Sequence, residues 1–207
     1  MSFALKKPIL VALLTLSLTT LACVSVIPSS VQTPTPVPAL PTETPAPTSS
    51  LPEPETSSLL GVDVPIAGAE HIQEGTVATD WNSDPPTSGQ HYPQWAPAGF
   101  YTEAIPDGYL VHNMEHGYVI VYYNCELAED CTAFKADIEA AIAAAGNDPN
   151  TQTVKVISVP RAGMSTPVTY ASWGHLYQPV AFVPAELTAY IQTYRSNPAY
   201  APEWSLP

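Results

Sequence analysis

Hydrophobic and polar positions divide the chain into three stretches. Residues 8–18 form an apolar run preceded by Lys6 and Lys7. Residues 24–58 have no period, with nine prolines spread mostly among Ser, Thr, Ala and Val. Residues 60–207 alternate apolar segments with turn residues and carry the clear element signals. Within them, residues 118–123 are a β-rich apolar run, which predicts a central strand. Residues 128–145 are alanine-rich and set Phe134, Ile138 and Ile142 at helical spacing, with Gly146 as a stop. Residues 154–159 and 168–173 predict two strands, and the turn at 160–167 predicts a hairpin between them. Pro184 opens a second helix with Leu187, Tyr190, Ile191 and Tyr194 on one face. Residues 61–108 are turn-rich, as at Asp84-Pro85-Pro86, Ser88-Gly89 and Pro106-Asp107-Gly108, and predict loops and short strands around the core.

The expected fold is therefore a single α+β domain over residues 60–207. Its C-terminal half follows a β-α-β-β-α order on a mixed sheet, wrapped by a loop-rich N-terminal part. That order is also the second half of a thioredoxin-like fold. The C-x-x-C chemistry of that fold is absent, so the comparison concerns architecture alone.

The first two stretches read as export and tether. Lys6, Lys7 and the apolar run form a signal sequence, too short in its apolar part to span a bilayer as a lone helix. Thr20-Leu21-Ala22-Cys23 resembles a bacterial lipobox, with Thr20 where an apolar residue is usual. This predicts a signal peptide over residues 1–22, lipidation at Cys23, and an exported protein anchored to the outer face of the cell membrane. An ordinary signal peptide and an uncleaved anchor are the alternatives, and both also place the rest outside the cytoplasm. Residues 23–59 are then a disordered stalk. Proline favours polyproline II at about 3.1 Å per residue, so the stalk could reach up to ~110 Å.

Composition narrows the function classes. With 6 Lys+Arg against 19 Asp+Glu and a formal net charge of -13, the chain cannot neutralise a phosphate backbone, and nucleic acid is excluded as a partner. Charged residues at 12% and 24 prolines exclude a coiled coil or a bundle along the whole length. Removing Lys6 and Lys7 with the signal peptide would take the charge from -13 to -15, a weak bias toward cations. Of the three cysteines, Cys23 belongs to the lipobox. Cys125 and Cys131, a C-x5-C pair in an oxidising compartment, predict a disulfide.

The chemistry sits on histidines: His71, His91, His112, His116 and His175. His112-Asn113-Met114-Glu115-His116 has the letters of the H-x-x-E-H zinc motif, which needs a helix to bring both histidines to one face. Turn residues precede it and a strand follows Gly117. On an extended backbone His112 and His116 stand ~13 Å apart, too far for one ion. A helical turn or a bulge would bring them together. In the other segment, Pro85-Pro86-Thr87-Ser88-Gly89 makes a rigid turn that presents His91 in a defined direction.

The stretch from His71 through Pro85-Pro86-Thr87-Ser88-Gly89-Gln90-His91 to residues 111–117 resembles the bacterial domain-of-unknown-function 3105 family. Residues 171–174 and 201–203 are similar too. The resemblance covers about residues 60–207 and implies an exported or membrane-anchored domain, with no established activity. The family has proline where Gln90 stands, a difference that predicts a looser loop before His91.

Three readings follow. The first is a copper or zinc site built from His91, His112, His116 and Glu115, with His71 and Met114 as further ligands. It serves binding, delivery or electron transfer, and a Met ligand would favour Cu(I). The second is a non-catalytic envelope interaction module with structural histidines, which sets His91, His112 and His116 far apart. The third is a metal-independent hydrolase in which His112 or His116 is the base, Glu115 orients it, and Ser88 or Thr87 is the nucleophile. No protein partner is named by the sequence.

Overall fold

A computed structural model of the chain describes residues 60–206. The expected signal peptide, lipidated Cys23 and stalk lie outside the described residues. Six strands form one mixed sheet: β1 (Val62–Asp63), β2 (Gly99–Phe100), β3 (Val119–Tyr123), β4 (Val156–Pro160), β5 (Val168–Ser172) and β6 (His175–Tyr177). Three α-helices accompany it: α1 (Asp107–Glu115), α2 (Cys131–Ala145) and α3 (Pro184–Tyr194). The domain is α+β, as expected, with the strand order β1-β6-β5-β3-β4-β2. Among the described residues no helix is long and apolar enough to cross a membrane.

Strand β3 sets the layout. All five of its residues are buried. Successive side chains point to opposite faces of a sheet. Ile120 and Tyr122 therefore join one core cluster, while Val119, Val121 and Tyr123 join another. A strand buried on both faces needs a covering layer on each. Helices α2 and α3 supply one layer through Ile138, Ala141, Leu187, Tyr190, Ile191 and Tyr194. Helix α1 supplies part of the other through Leu110, Val111 and Met114. Each fully buried aliphatic or Met side chain contributes about 1.5–3 kcal/mol.

The predicted helices are both present. Helix α3 starts at Pro184 and buries the four residues expected of it. Helix α2 starts three residues later than its alanine pattern suggests. Asp130 is its N-cap, accepting the N–H groups of Thr132 and Ala133, and such a cap is worth about 1 kcal/mol. Before it, residues 125–127 form a 3-10 turn. The expected disulfide joins Cys125 to Cys131, with Cα atoms 5.1 Å apart.

Three expectations need correction. The predicted hairpin between β4 and β5 is absent. Strand β4 pairs parallel with one side of β3, and β5 pairs antiparallel with the other. A fully buried β3 must satisfy both of its hydrogen-bonding edges, so its two successors take one edge each. The intervening loop crosses the end of β3, where Arg161 N–H donates to the Tyr123 carbonyl at 2.9 Å and Asn124 N–H to that of Pro167 at 2.9 Å. Strand β6 was not expected. It forms a two-residue hairpin with β5 in the register Ser172↔His175, and Gly174 supplies the left-handed backbone at φ 66°. Helix α1, read as turn and extended chain, is the third. Every residue from Leu110 to Glu115 is buried, so the segment has no apolar stripe for its period to reveal.

Met114 is fully buried in the core between α1 and the sheet. Met114→Leu, which nearly conserves volume, should cost under about 1.5 kcal/mol of stability, whereas Met114→Ala should cost about 2–5 kcal/mol. Urea denaturation checks both. Equal small losses would place the side chain outside the packed core.

Candidate metal centre

Three segments meet at the C-terminal end of α1. Residues 70–72 and 89–91 run side by side. His91 N–H donates to the Glu70 carbonyl at 3.0 Å and Ile72 N–H to the His91 carbonyl at 2.8 Å. This parallel bridge sets His71 beside His91, ring centroids 4.7 Å apart. Helix α1 presents His112 and Glu115, three residues apart and so on one face.

The loop before His91 is held by side chains. Asn82 Oδ1 accepts the N–H groups of Thr87 and Ser88, each at 3.0 Å. Gly89 has φ 117°, and a Cβ there would stand 2.9 Å from Asp80 Oδ1. That same oxygen accepts Gln90 N–H at 2.8 Å. Trp81 Nε1 donates to the Gln90 carbonyl at 3.0 Å. The expected loosening at Gln90 is therefore offset: a proline has no N–H for Asp80, and Gln90 does. On the helix side, Asn113 clamps residue Ala96 with two hydrogen bonds, to its N–H and its carbonyl, both 2.9 Å.

The hydrogen bonds fix the ring chemistry. His91 Nδ1 lies 2.8 Å from the Gly89 carbonyl, and His112 Nδ1 lies 2.8 Å from the Tyr92 carbonyl. A carbonyl only accepts, so each Nδ1 carries the hydrogen. In a neutral ring each Nε2 is then a bare lone pair. His91 Nε2 faces Glu115 Oε2 at 3.1 Å. Two acceptors sit that close only with a proton or a cation between them. His112 Nε2 is buried and has no hydrogen-bond partner among the described residues. An unmet buried polar atom of this kind costs about 1–3 kcal/mol.

His71, His91, His112 and Glu115 each offer a ligand atom, and these atoms lie within 4.8 Å of one another. Around a tetrahedral ion with bonds of about 2.0–2.1 Å, neighbouring ligand atoms are about 3.3 Å apart. The His91–Glu115 contact already matches. His91 and His112 are buried, at 0% and 3% exposure, while the His71 side chain is 50% exposed. The Gly89 and Tyr92 carbonyls behind the two rings are contacts of the kind that orient imidazoles in known metal sites.

Burial, helped by the neighbouring rings of His116, His91 and His71 and opposed by the Tyr92 hydrogen bond, lowers the His112 pKa to about 4. Burial opposes ionisation of Glu115, but the hydrogen bond and charge of His91, with His112 and His71, outweigh it and hold the carboxyl below its ordinary value. A neutral imidazole and an ionised carboxylate are the forms that bind a cation.

Not every expected ligand joins. His116 caps α1 and turns to Glu203, Nε2 to Oε2 3.1 Å, although its ring stays 4.7 Å from that of His112. So the helix brings His112 and Glu115 together, and His116 stands outside the four-residue set. Met114 points into the core. Ser88 and Thr87 are fully buried and brace the loop: Ser88 Oγ accepts Ala67 N–H at 3.0 Å, and Thr87 Oγ1 accepts from Asn82 at 2.8 Å. His71, expected as a further ligand, lies within the four-residue cluster. The sequence signal for it was only a lone histidine. Trp95 was missed altogether; it stacks on His112, centroids 5.6 Å apart, and is 47% exposed. The far-apart arrangement of a structural-histidine module is not seen, since the His91 and His112 rings are 5.3 Å apart. His175 does have a structural setting, with Nδ1 2.8 Å from Asp63 and Nε2 2.7 Å from the Leu60 carbonyl.

A family model described as a protein of unknown function (DUF3105) matches residues 71–206. The chain belongs to this family. All four clustered residues lie inside the DUF3105 span, His71 at its first position. No curated protein and no solved structure matches the chain.

Acid should destabilise the metal-free domain through His112. The unfolded ring binds its proton near pH 6.5, the folded ring only near about 4. Between those values the unfolded state holds more protons. The contribution, on the order of 3 kcal/mol, is complete above pH 6.5 and lost as pH falls toward 4. His112→Asn keeps a donor for the Tyr92 carbonyl and removes the titration. Denaturation in chelator at pH 7 and pH 4.5 should show a larger loss for the parent than for the variant. Equal losses would contradict it.

Proposed function

We propose that the domain binds one divalent transition-metal ion, Zn(II) or Cu(II), through His71, His91, His112 and Glu115. The observation that carries this reading is the bare, buried Nε2 of His112, beside a second bare Nε2 that faces a carboxylate. An ion pair between His91 and Glu115 accounts for their contact but leaves His112 unmet. One cation accounts for both. Three imidazoles and a carboxylate suit Zn(II) or Cu(II).

The set contains no sulfur, because Met114 is committed to the core. That weighs against Cu(I) and against electron transfer, and favours binding and delivery of a divalent ion. The half-exposed His71 gives such an ion a path to exchange with solvent. A metal-independent hydrolase is less well supported, since the hydroxyls of Ser88 and Thr87 brace the loop. The lipobox-like Thr20-Leu21-Ala22-Cys23 and the proline-rich segment after it support a reading in which this site works on the outer face of the cell membrane.

The test is elemental analysis of the full chain after chelator stripping and reloading with Zn(II) or Cu(II). About one equivalent should bind. His91→Ala and His112→Ala should weaken binding by more than the 10- to 100-fold typical of losing an outer-shell partner. His116→Ala should leave stoichiometry unchanged. Circular dichroism confirms that each variant is folded. Failure of the folded parent to take up either ion would end the proposal.

A further inference from the structure

Trp95 is 47% exposed, yet it is held in place. The fully buried Asn113 of α1 clamps the next residue, Ala96, by both of its backbone groups. The clamp sets the indole against the end of that helix. Its ring lies 5.6 Å from that of His112, inclined by 27°, and 5.3 Å from that of His116, inclined by 36°. His116 is itself tied to Glu203, Nε2 to Oε2 3.1 Å, and backs the indole. Scattered apolar side chains on a surface need no such support. His112 is only 3% exposed. A half-exposed indole stacked on a buried imidazole is part of the wall between that imidazole and water.

That wall bears on His112 Nε2. The Tyr92 carbonyl holds the ring at one point, Nδ1, at 2.8 Å. A single hydrogen bond lets a ring tilt about it. Nε2 is buried without a hydrogen-bond partner among the described residues, and such an atom gains by turning toward water. Keeping it inward takes a second restraint, and Trp95 lies on the ring face where that restraint acts. His91 has the same two-point arrangement deeper in the domain. Its Nδ1 lies 2.8 Å from the Gly89 carbonyl, and the buried Trp173 meets its ring at 90°, centroids 6.0 Å apart. Each buried imidazole thus has a carbonyl at Nδ1 and an indole beside the ring. Trp95 is the one of the two indoles that faces solvent.

We propose that Trp95 is a positioning residue of the metal centre: its indole face holds the His112 imidazole in the orientation that binds the ion, and so sets how slowly the ion leaves. This rests on the metal-binding reading above. Stopped-flow transfer of Zn(II) from the loaded full chain to excess chelator reads the release rate. Electron paramagnetic resonance of the Cu(II)-loaded chain reads the ligand arrangement. Trp95→Ala should release Zn(II) about tenfold or more faster, in the range typical of losing an outer-shell partner, with the change in dissociation rather than association. It should also shift the Cu(II) spectrum. Trp95→Phe keeps a flat ring and should return both readouts toward the parent. Trp95→Leu keeps apolar bulk without a flat ring and should behave as the alanine variant. Circular dichroism confirms folding, and if the alanine variant is unfolded the contrast between Phe and Leu decides. Parent-like release and spectra in the alanine and leucine variants, beside a parent that binds the ion, would overturn this role and leave the metal centre standing. Equal effects of Phe and Leu would overturn it too. A folded parent that takes up neither ion would remove the metal centre itself, and this role with it.

Discussion

Helix α1 buries polar side chains on the same short segment that supplies core residues. Leu110, Val111 and Met114 pack on the sheet side. His112, Asn113 and Glu115 are also buried. Each such group must find a partner or cost about 1–3 kcal/mol. Much of the turn-rich N-terminal part of the domain can be understood as the supply of those partners. Tyr92 offers a carbonyl to His112, Ala96 offers both of its backbone groups to Asn113, and His91 faces Glu115. A loop that meets this demand cannot be loose. Asn82 and Asp80 fasten it by side-chain hydrogen bonds where no regular ladder is available.

The geometry of the His/Glu cluster follows from how that demand is met. Carbonyl partners at Nδ1 settle the tautomer of two histidines and turn both Nε2 atoms inward. The same contacts that hold the loop against α1 thus aim lone pairs at one point. A polar interior with every group satisfied would be inert. Here one nitrogen is left unmet, and nearby are a carboxylate and a half-exposed third imidazole. Strain of this kind is tolerated when the missing partner is a ligand.

The two ends of α1 are electrically different. At its start Asp107 is neutralised by Arg161, one of few basic side chains in an acidic domain. At its end Glu115 meets imidazoles. The loop carrying Asp84 and His91 touches both places, so one fastened segment serves a guanidinium site and a histidine site. DUF3105 membership extends over both segments.

Much of the scaffold was legible in the sequence. Strand β3, helices α2 and α3, and the strands β4 and β5 have local periods or apolar runs that follow directly from which faces are buried. The disulfide followed from the spacing of Cys125 and Cys131 and the export expected of the chain. Helix α1 was not legible, because a segment buried on all sides has no stripe. Nor was the pairing of β4 and β5 with opposite edges of β3, which depends on the buried strand needing both neighbours. The motif at residues 112–116 contains two of the clustered side chains, His112 and Glu115, but does not show which others converge. His116 follows Glu203, and His71 joins because backbone hydrogen bonds set residue 71 beside residue 91. The sequence alone therefore determined the element types and the residue kinds available for metal chemistry, since these follow from local burial patterns. Tertiary structure decided which side chains converge, since convergence depends on hydrogen bonds between segments far apart in the chain.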